Sequence, residues 1–230
     1  QERNLLGRGQ DLSLSATLAG ERSEFDVSLT EPYFLGRDLS AGFNVFHITR
    51  DFQDESSFDQ RRTGGSLSLG YPLSANWSQR VRYRVERNDT QDVQGSASVF
   101  IEEQEGVRTT SAVSQRLTYD TRNSTRFPTN GVKSWIDTEF AGLGGNSQFV
   151  SGQIGTSYYY PLATDWTFNV EGEAGAIEAY GDETVEINER FFLGGNRLRG
   201  FDTSGIGPRD LATDDALGGN RFYRTSLELT

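Results

Sequence analysis

One stretch in the first half of the chain alternates strictly between charged and apolar side chains. Val81, Tyr83 and Val85 are separated by Arg82 and Arg84. Because successive side chains of a β-strand point to opposite faces, this pattern predicts a strand with one apolar and one strongly charged face. Arginines at alternate positions would be costly in the dry core of a β-sandwich, whereas a water-filled barrel lumen accommodates them. The sequence therefore favours a membrane β-barrel over a soluble sandwich or jelly roll.

The same two-residue period recurs along most of the chain, and a helical period does not. It predicts about ten strands, near 12–18, 25–30, 41–45, 66–71, 80–86, 115–121, 132–140, 149–160, 166–177 and 221–230. Disorder is disfavoured, because the 230 residues include 15 Phe, 9 Tyr and 3 Trp. A mean hydropathy of -0.59 excludes a helical membrane protein.

Every second connection between the predicted strands contains a proline in a short turn. These prolines are Pro32, Pro72, Pro128 and Pro161. In an up-and-down meander such turns share one end, and the longer connections at about 48–63, 87–113 and 178–219 lie at the other. Short periplasmic turns and long outer loops are typical of outer-membrane barrels. The predicted fold class is thus an all-β, transmembrane, antiparallel up-and-down β-barrel.

Composition also argues against several functions. A net charge of -11 makes nucleic acid an unsuitable partner. With no Cys and with His47 as the single histidine, a structural metal site is not expected, and neither is a Ser–His hydrolase. The pair Asp214–Asp215 is interpreted as a solvated loop rather than a calcium site. We therefore predict that the protein is not an enzyme, has no cofactor and binds no metal.

Three glycine-rich motifs follow one another in the connection 178–219. They are FFLGGNRLRGF at 191–201, GIGPRD at 205–210 and ALGGN at 216–220. Glycine at this density specifies backbone turns that other residues make poorly, and structured loops of this length are usually functional. The residues expected to shape this loop are Gly194, Gly195, Gly205, Gly207, Pro208, Gly218 and Gly219.

Together with the EPYFLGRD turn, the YDTR and FPTNG segments of one hairpin, and YYYPL, these motifs resemble the BamA family of outer-membrane β-barrel assembly factors. The hallmark of that family is a [V/L/I]-R-G-[F/Y] tetrapeptide. The matching residues are Leu198, Arg199, Gly200 and Phe201. The resemblance covers nearly the whole chain and keeps the order of the motifs.

The resemblance implies a protein of the bacterial outer membrane that folds and inserts other β-barrels. In the family this loop folds into the lumen, where its arginine pairs with an acidic residue of the inner wall. Carried over, Arg199 holds the loop, and Glu228 is its matching partner. The implied partners are client outer-membrane proteins, accessory assembly lipoproteins and outer-membrane lipid.

A complete family member carries periplasmic POTRA domains and sixteen barrel strands. We therefore expect residues 1–230 to be a partial barrel domain of about ten strands, without the POTRA domains or the first and last barrel strands. A TamA-like assembly factor or a two-partner secretion transporter remains an alternative, because both keep the tetrapeptide. A passive porin would share the alternation but would not need the three loop motifs.

Overall fold

The computed structural model describes residues 2–5, 7 and 9–230. It contains one antiparallel sheet in which the strands follow chain order from β1 to β11. The strands are β1 (Glu2–Leu5), β2 (Gln10–Ala19), β3 (Arg22–Glu31), β4 (Ser40–Phe52), β5 (Phe58–Pro72), β6 (Trp77–Gln91), β7 (Gly106–Asp120), β8 (Gly131–Gly145), β9 (Phe149–Ala163), β10 (Trp166–Ala179) and β11 (Arg221–Leu229). The predicted all-β up-and-down architecture is confirmed, and the sheet is an open arc of a barrel within the described residues.

The helical segments are short and all lie in connections between strands. They are α1 (Gln53–Ser56), α2 (Val99–Glu102) and the 3-10 turns Phe34–Gly36, Ile187–Glu189 and Gly195–Arg197. Among the residues that the structure describes, no helix is both long and apolar enough to cross a membrane. The prediction of about ten strands missed β1, which has only four residues and therefore too few positions to display alternation.

The four turns predicted from the prolines join β3 to β4, β5 to β6, β7 to β8 and β9 to β10. Pro32 and Pro128 lie in these connections, whereas Pro72 is the last residue of β5 and Pro161 lies near the end of β9, so the prediction of a proline within every turn was wrong for these two. Because every strand is antiparallel to its chain neighbours, these turns share one end of the sheet, as predicted. The bounds predicted for the opposite loops were wrong. The connections there are only 53–57 and 92–105 in place of 48–63 and 87–113. Most side chains at these strand ends are polar, so regular alternation is lost there although the backbone hydrogen bonds of the sheet continue.

The long connection 180–220 covers one face of the sheet, which we call the inner face. Arg80 and Arg82 of β6 line a cavity of 290 Å³ together with Glu189 and Phe191 of that connection. These arginines therefore point inward, as the alternation predicts. The inner face is polar and charged around this cavity, which matches the expected barrel lumen.

The outer face of the sheet is apolar and exposed. Tyr83 and Val85, which alternate with the inward arginines, are each 40% exposed, and the outward Leu14 is 65% exposed. Trp77 and Trp166 beside the proline turns are also exposed, which suits aromatic side chains at a membrane interface. An exposed apolar band of this kind is explained by contact with lipid.

Leu14 provides a test of this orientation. Leu14→Arg is expected to destabilise the barrel by about 2–4 kcal/mol, because it places a charge in hydrocarbon. Ser15→Arg is the matched control, since Ser15 points inward and lies opposite Asp26. Unfolding by urea of the full-length protein in lipid vesicles measures both variants. Equal losses for the two variants would contradict the assigned faces.

Candidate functional site

The connection 180–220 is packed into the inner face by two apolar clusters. In the first, Val185 joins the buried residues Ala112, Ala141, Phe149 and Ile177 of the wall. In the second, Ile187 packs with Phe58 and Ile101, and Phe192 and Leu217 lie against them. Burial of apolar side chains drives this docking, so the connection belongs to the protein interior rather than to solvent.

Asn188 joins the connection to two wall strands through its amide group. Its Oδ1 accepts a hydrogen bond from Gln60 Nε2 at 2.8 Å, and its Nδ2 donates to Thr90 Oγ1 at 2.8 Å. The backbone N–H of Ile187 donates to Gln104 Oε1 at 2.6 Å. These directional bonds fix the register of the connection on the wall, which apolar packing alone would not do.

A chain of alternating charges crosses the inner wall beneath the connection. Glu86 accepts from Arg62 at 2.7 Å and from Arg84 at 2.8 Å, and Arg84 also contacts Glu139 at 2.5 Å. The Glu86 side chain is only 2% exposed. Four charges held in this order satisfy one another away from bulk water, where each would be costly alone.

Glu189 adds a further carboxylate to this network from the connection itself. It accepts a hydrogen bond from Thr110 Oγ1 at 3.2 Å. Burial raises the pKa of Glu189 above its ordinary value; the charge of Arg84 opposes this shift, and Glu86 and Glu139 add to it. The neutral form of Glu189 is thus favoured when the connection is docked.

The raised pKa predicts a pH dependence of docking. The proton bound by Glu189 stabilises docking fully below the undocked pKa of 4.5, and this contribution is lost as the pH rises through the docked pKa. Hydrogen exchange of the 185–191 amides, corrected for intrinsic rates, should therefore be slower near pH 5 than near pH 8. Glu189→Gln, which stays neutral, should flatten the difference. An unchanged pH profile in that variant would contradict the assignment.

Asp215 ties three outer connections together. Its carboxylate accepts from Ser57 Oγ at 2.7 Å, from the backbone N–H of Ser98 at 2.7 Å and from Thr213 Oγ1 at 2.9 Å. The residue is 5% exposed. The sequence interpretation of Asp214–Asp215 as a solvated pair is therefore wrong for Asp215, because neighbouring loops supply donors that close around it.

Four of the seven residues predicted to shape the loop have backbone angles that favour glycine. Positive φ angles occur at Gly194, Gly195, Gly207 and Gly218. A Cβ on Gly194 would collide with the carbonyl oxygen of Asp202, and one on Gly205 would lie 2.8 Å from the same atom. The remaining two residues of the set are Gly219 and Pro208. A Cβ on Gly219 would lie 3.2 Å from the Arg221 carbonyl oxygen. The Pro208 carbonyl oxygen accepts a hydrogen bond from the Leu217 N–H at 2.9 Å.

The tetrapeptide lies at the tip of the connection, residues 194–205, which we call the loop tip. Arg199 Nη1 is 3.5 Å from Glu228 Oε1, and their side chains are 89% and 42% exposed. Leu198 is half-buried, Phe201 is 53% exposed, and Gly200 has a φ of 90°. The two residues expected to pair therefore lie together, at the outer limit of a hydrogen bond and in contact with solvent.

Sequence reasoning missed a second set of contacts at the loop tip. Arg197 lies 3.4 Å from Glu173, which Arg224 also contacts at 2.8 Å. The guanidinium of Arg197 lies over the Phe222 ring. Alternation alone assigns Glu173, Phe222 and Arg224 to one face, but it cannot pair them with a loop residue. Among the described residues, no cluster of His, Asp and Glu is arranged to hold a metal ion.

A meander of antiparallel strands with an apolar outer face, a charged inner face and an inward-folded connection defines a transmembrane β-barrel. The chain belongs to the Omp85 superfamily, because the model of the Omp85 superfamily domain matches residues 4–230. The resemblance of this barrel portion to BamA is thereby confirmed, as the relatives below also indicate.

The outer membrane protein assembly factor BamA of Nitratidesulfovibrio vulgaris is 32% identical over 99% of this chain, which covers 29% of that protein. BamA of Neorickettsia risticii is 29% identical over 99% of the chain, which covers 31% of it. The chain thus spans less than a third of the length of these relatives. Their outer-membrane location is shared by this chain, as its sequence predicts.

The crystal structure of BamA from Haemophilus ducreyi lacking POTRA domains 1–3 has a similar fold. It superposes with a TM-score of 0.86 over 99% of this chain and 48% of that one, at 23% identity. Such a superposition confirms the barrel architecture.

Proposed function

We propose that this chain is the barrel portion of an outer-membrane assembly factor that folds and inserts β-barrel proteins. The observation that carries the proposal is the inward-folded connection with its LRGF tetrapeptide, on a sheet whose relatives are named assembly factors. A passive porin has no need of these motifs. The partners would be client outer-membrane proteins, accessory assembly lipoproteins and lipid.

The physical task of such a factor follows from the membrane itself. Each unpaired N–H or C=O group costs several kcal/mol in hydrocarbon, so a client strand needs a hydrogen-bonding partner before it enters lipid. A sheet edge is such a partner. In this proposal the eleven strands form part of the barrel wall, the inward connection stabilises that wall, and the client's own folding supplies the free energy.

Reconstitution tests the proposed function. The full-length protein in lipid vesicles should raise the rate at which an unfolded client barrel becomes folded and protease-resistant, compared with empty vesicles. Equal rates would reject the proposal. Passage of soluble client across the vesicle membrane would favour a secretion transporter, and ion conductance without client folding would favour a porin.

A finer part of the proposal is that the loop tip lies in the lumen and that the pairing of Arg199 with Glu228 sets the arrangement of the tetrapeptide there. The 3.5 Å contact between them supports it. Arg199→Ala should lower the client-folding rate severalfold, and Arg199→Lys should restore only part of it, because lysine lacks the planar donor fork. Glu228→Gln should reproduce the defect. Wild-type client folding by Arg199→Ala would reject this role.

A further inference from the structure

Arg197 contacts the inner wall through both its side chain and its backbone. Its guanidinium carbon lies 4.9 Å from the centre of the Phe222 ring, and its Nη2 is 3.4 Å from Glu173 Oε2. Its carbonyl oxygen accepts a hydrogen bond from Arg224 Nη1 at 3.3 Å. Loop and wall are therefore joined at this residue by a cation–π contact, an ion pair and a hydrogen bond.

The acceptor for Arg197 is already fixed in place. Glu173 is 19% exposed, and Arg224 Nε donates to the same Oε2 atom at 2.8 Å. Phe222 is 8% exposed and packs against Phe191, with ring centres 4.7 Å apart. Because these wall side chains are already ordered, docking costs side-chain entropy for Arg197 but little for its partners on the wall.

Arg199 has a weaker attachment. Its side chain is 89% exposed, and its contact with Glu228 measures 3.5 Å. Exposed ion pairs contribute little because solvent screens them and both side chains must be ordered. Arg197 is 42% exposed and its ion pair is almost as long, at 3.4 Å. The two arginines therefore differ chiefly in the cation–π contact with Phe222 and the hydrogen bond to the Arg197 carbonyl.

We propose that Arg197, two residues before the arginine of the tetrapeptide, is the positioning residue that docks the loop tip on β10 and β11. Arg199 adds little to docking itself, so any effect of Arg199 on client folding acts on a tip that remains docked. Only the statement about client folding rests on the proposed function.

Hydrogen exchange of the full-length protein in vesicles tests the proposal. The amides of Gly195 and Gly205 report on the tip, because they donate to the carbonyls of Phe201 and Asp202. Arg197→Ala should accelerate their exchange about tenfold, and Arg199→Ala less than about threefold. The matched control is Arg209→Ala, an arginine of the same connection whose contact is with Asp214 nearby. It should leave the tip unchanged.

Two further variants separate the chemistry from a general loss of packing. Arg197→Lys keeps the charge but not the planar group, and should give intermediate exchange. Glu173→Gln keeps the shape of the acceptor and should also accelerate the exchange of the tip amides. This variant still tests the proposal if Arg197→Ala does not fold.

The proposal is overturned if Arg199→Ala loosens the tip as much as Arg197→Ala, or if Glu173→Gln leaves exchange unchanged. A wild-type protein that does not fold clients would reject the proposed function alone, because exchange is measured without a client.

Discussion

Glu86→Ala is expected to destabilise the folded barrel by about 3–5 kcal/mol, since it leaves two arginines of the inner wall without their shared carboxylate. Glu86 lies between Arg62 and Arg84 at 2.7 and 2.8 Å, and its side chain is 2% exposed. Removal of the central anion brings two like charges into opposition across neighbouring strands. Urea unfolding of the full-length protein in vesicles measures the loss.

The control for this experiment is a pair that solvent reaches. The side chains of Arg22 and Glu24 are 46% and 22% exposed, so Arg22→Ala should cost less than about 1 kcal/mol. Glu86→Gln tests whether charge rather than shape is responsible, and should lose most of what the alanine loses. A cost for Glu86→Ala no greater than that for Arg22→Ala would show that the network does not stabilise the wall.

Asp215→Ala should release the outer connections from one another, at a cost of about 2–4 kcal/mol. The change leaves the donors from Ser57, Ser98 and Thr213 without their acceptor. We expect faster hydrogen exchange at the Ser98 amide, which donates to Asp215, and at the Ala216 amide, which donates to the Glu55 carbonyl. The strands themselves should remain protected, because their ladders do not depend on this residue.

Asp214 provides a matched control one residue away. Its side chain is 85% exposed and pairs with Arg209 of the same connection. Asp214→Asn should therefore leave exchange at Ser98 unchanged. Asp215→Asn should raise it, since asparagine is uncharged and has one acceptor oxygen where the three donors use two. If the two asparagine variants behave alike, Asp215 does not join the connections.

Much of the fold was predictable because its determinants are local. Alternation at Arg80–Val85 assigns the two faces of a strand, and a proline at every second connection assigns the two ends of the sheet. The full lengths of β5 and β6 were not predictable in this way. Apart from Phe58, the side chains at their outer ends are polar on both faces. The backbone hydrogen bonds that hold these ends produce no periodic pattern of side chains.

The candidate site was predictable only in part, because its contacts join distant residues. The tetrapeptide marks Arg199, and the family pattern points to Glu228, but no local signal links Arg197 to Glu173 or Ser57 to Asp215. Alternation shows that Glu173 faces inward without showing which loop residue meets it. Acceptors of this kind are defined by tertiary packing, which places side chains of different connections against one wall.

The inward connection also has a mechanical consequence for the sheet. In the meander each strand is paired only with its neighbours, so the curvature of the described arc depends on many small twists. The connection leaves β10, bonds at Ser56 to the turn after β4 through a contact that spans 160 residues, and returns at β11. The connection thus links β10 and β11 directly to the region after β4, across the inside of the curved sheet. Its stiffness limits how far that part of the wall can flatten.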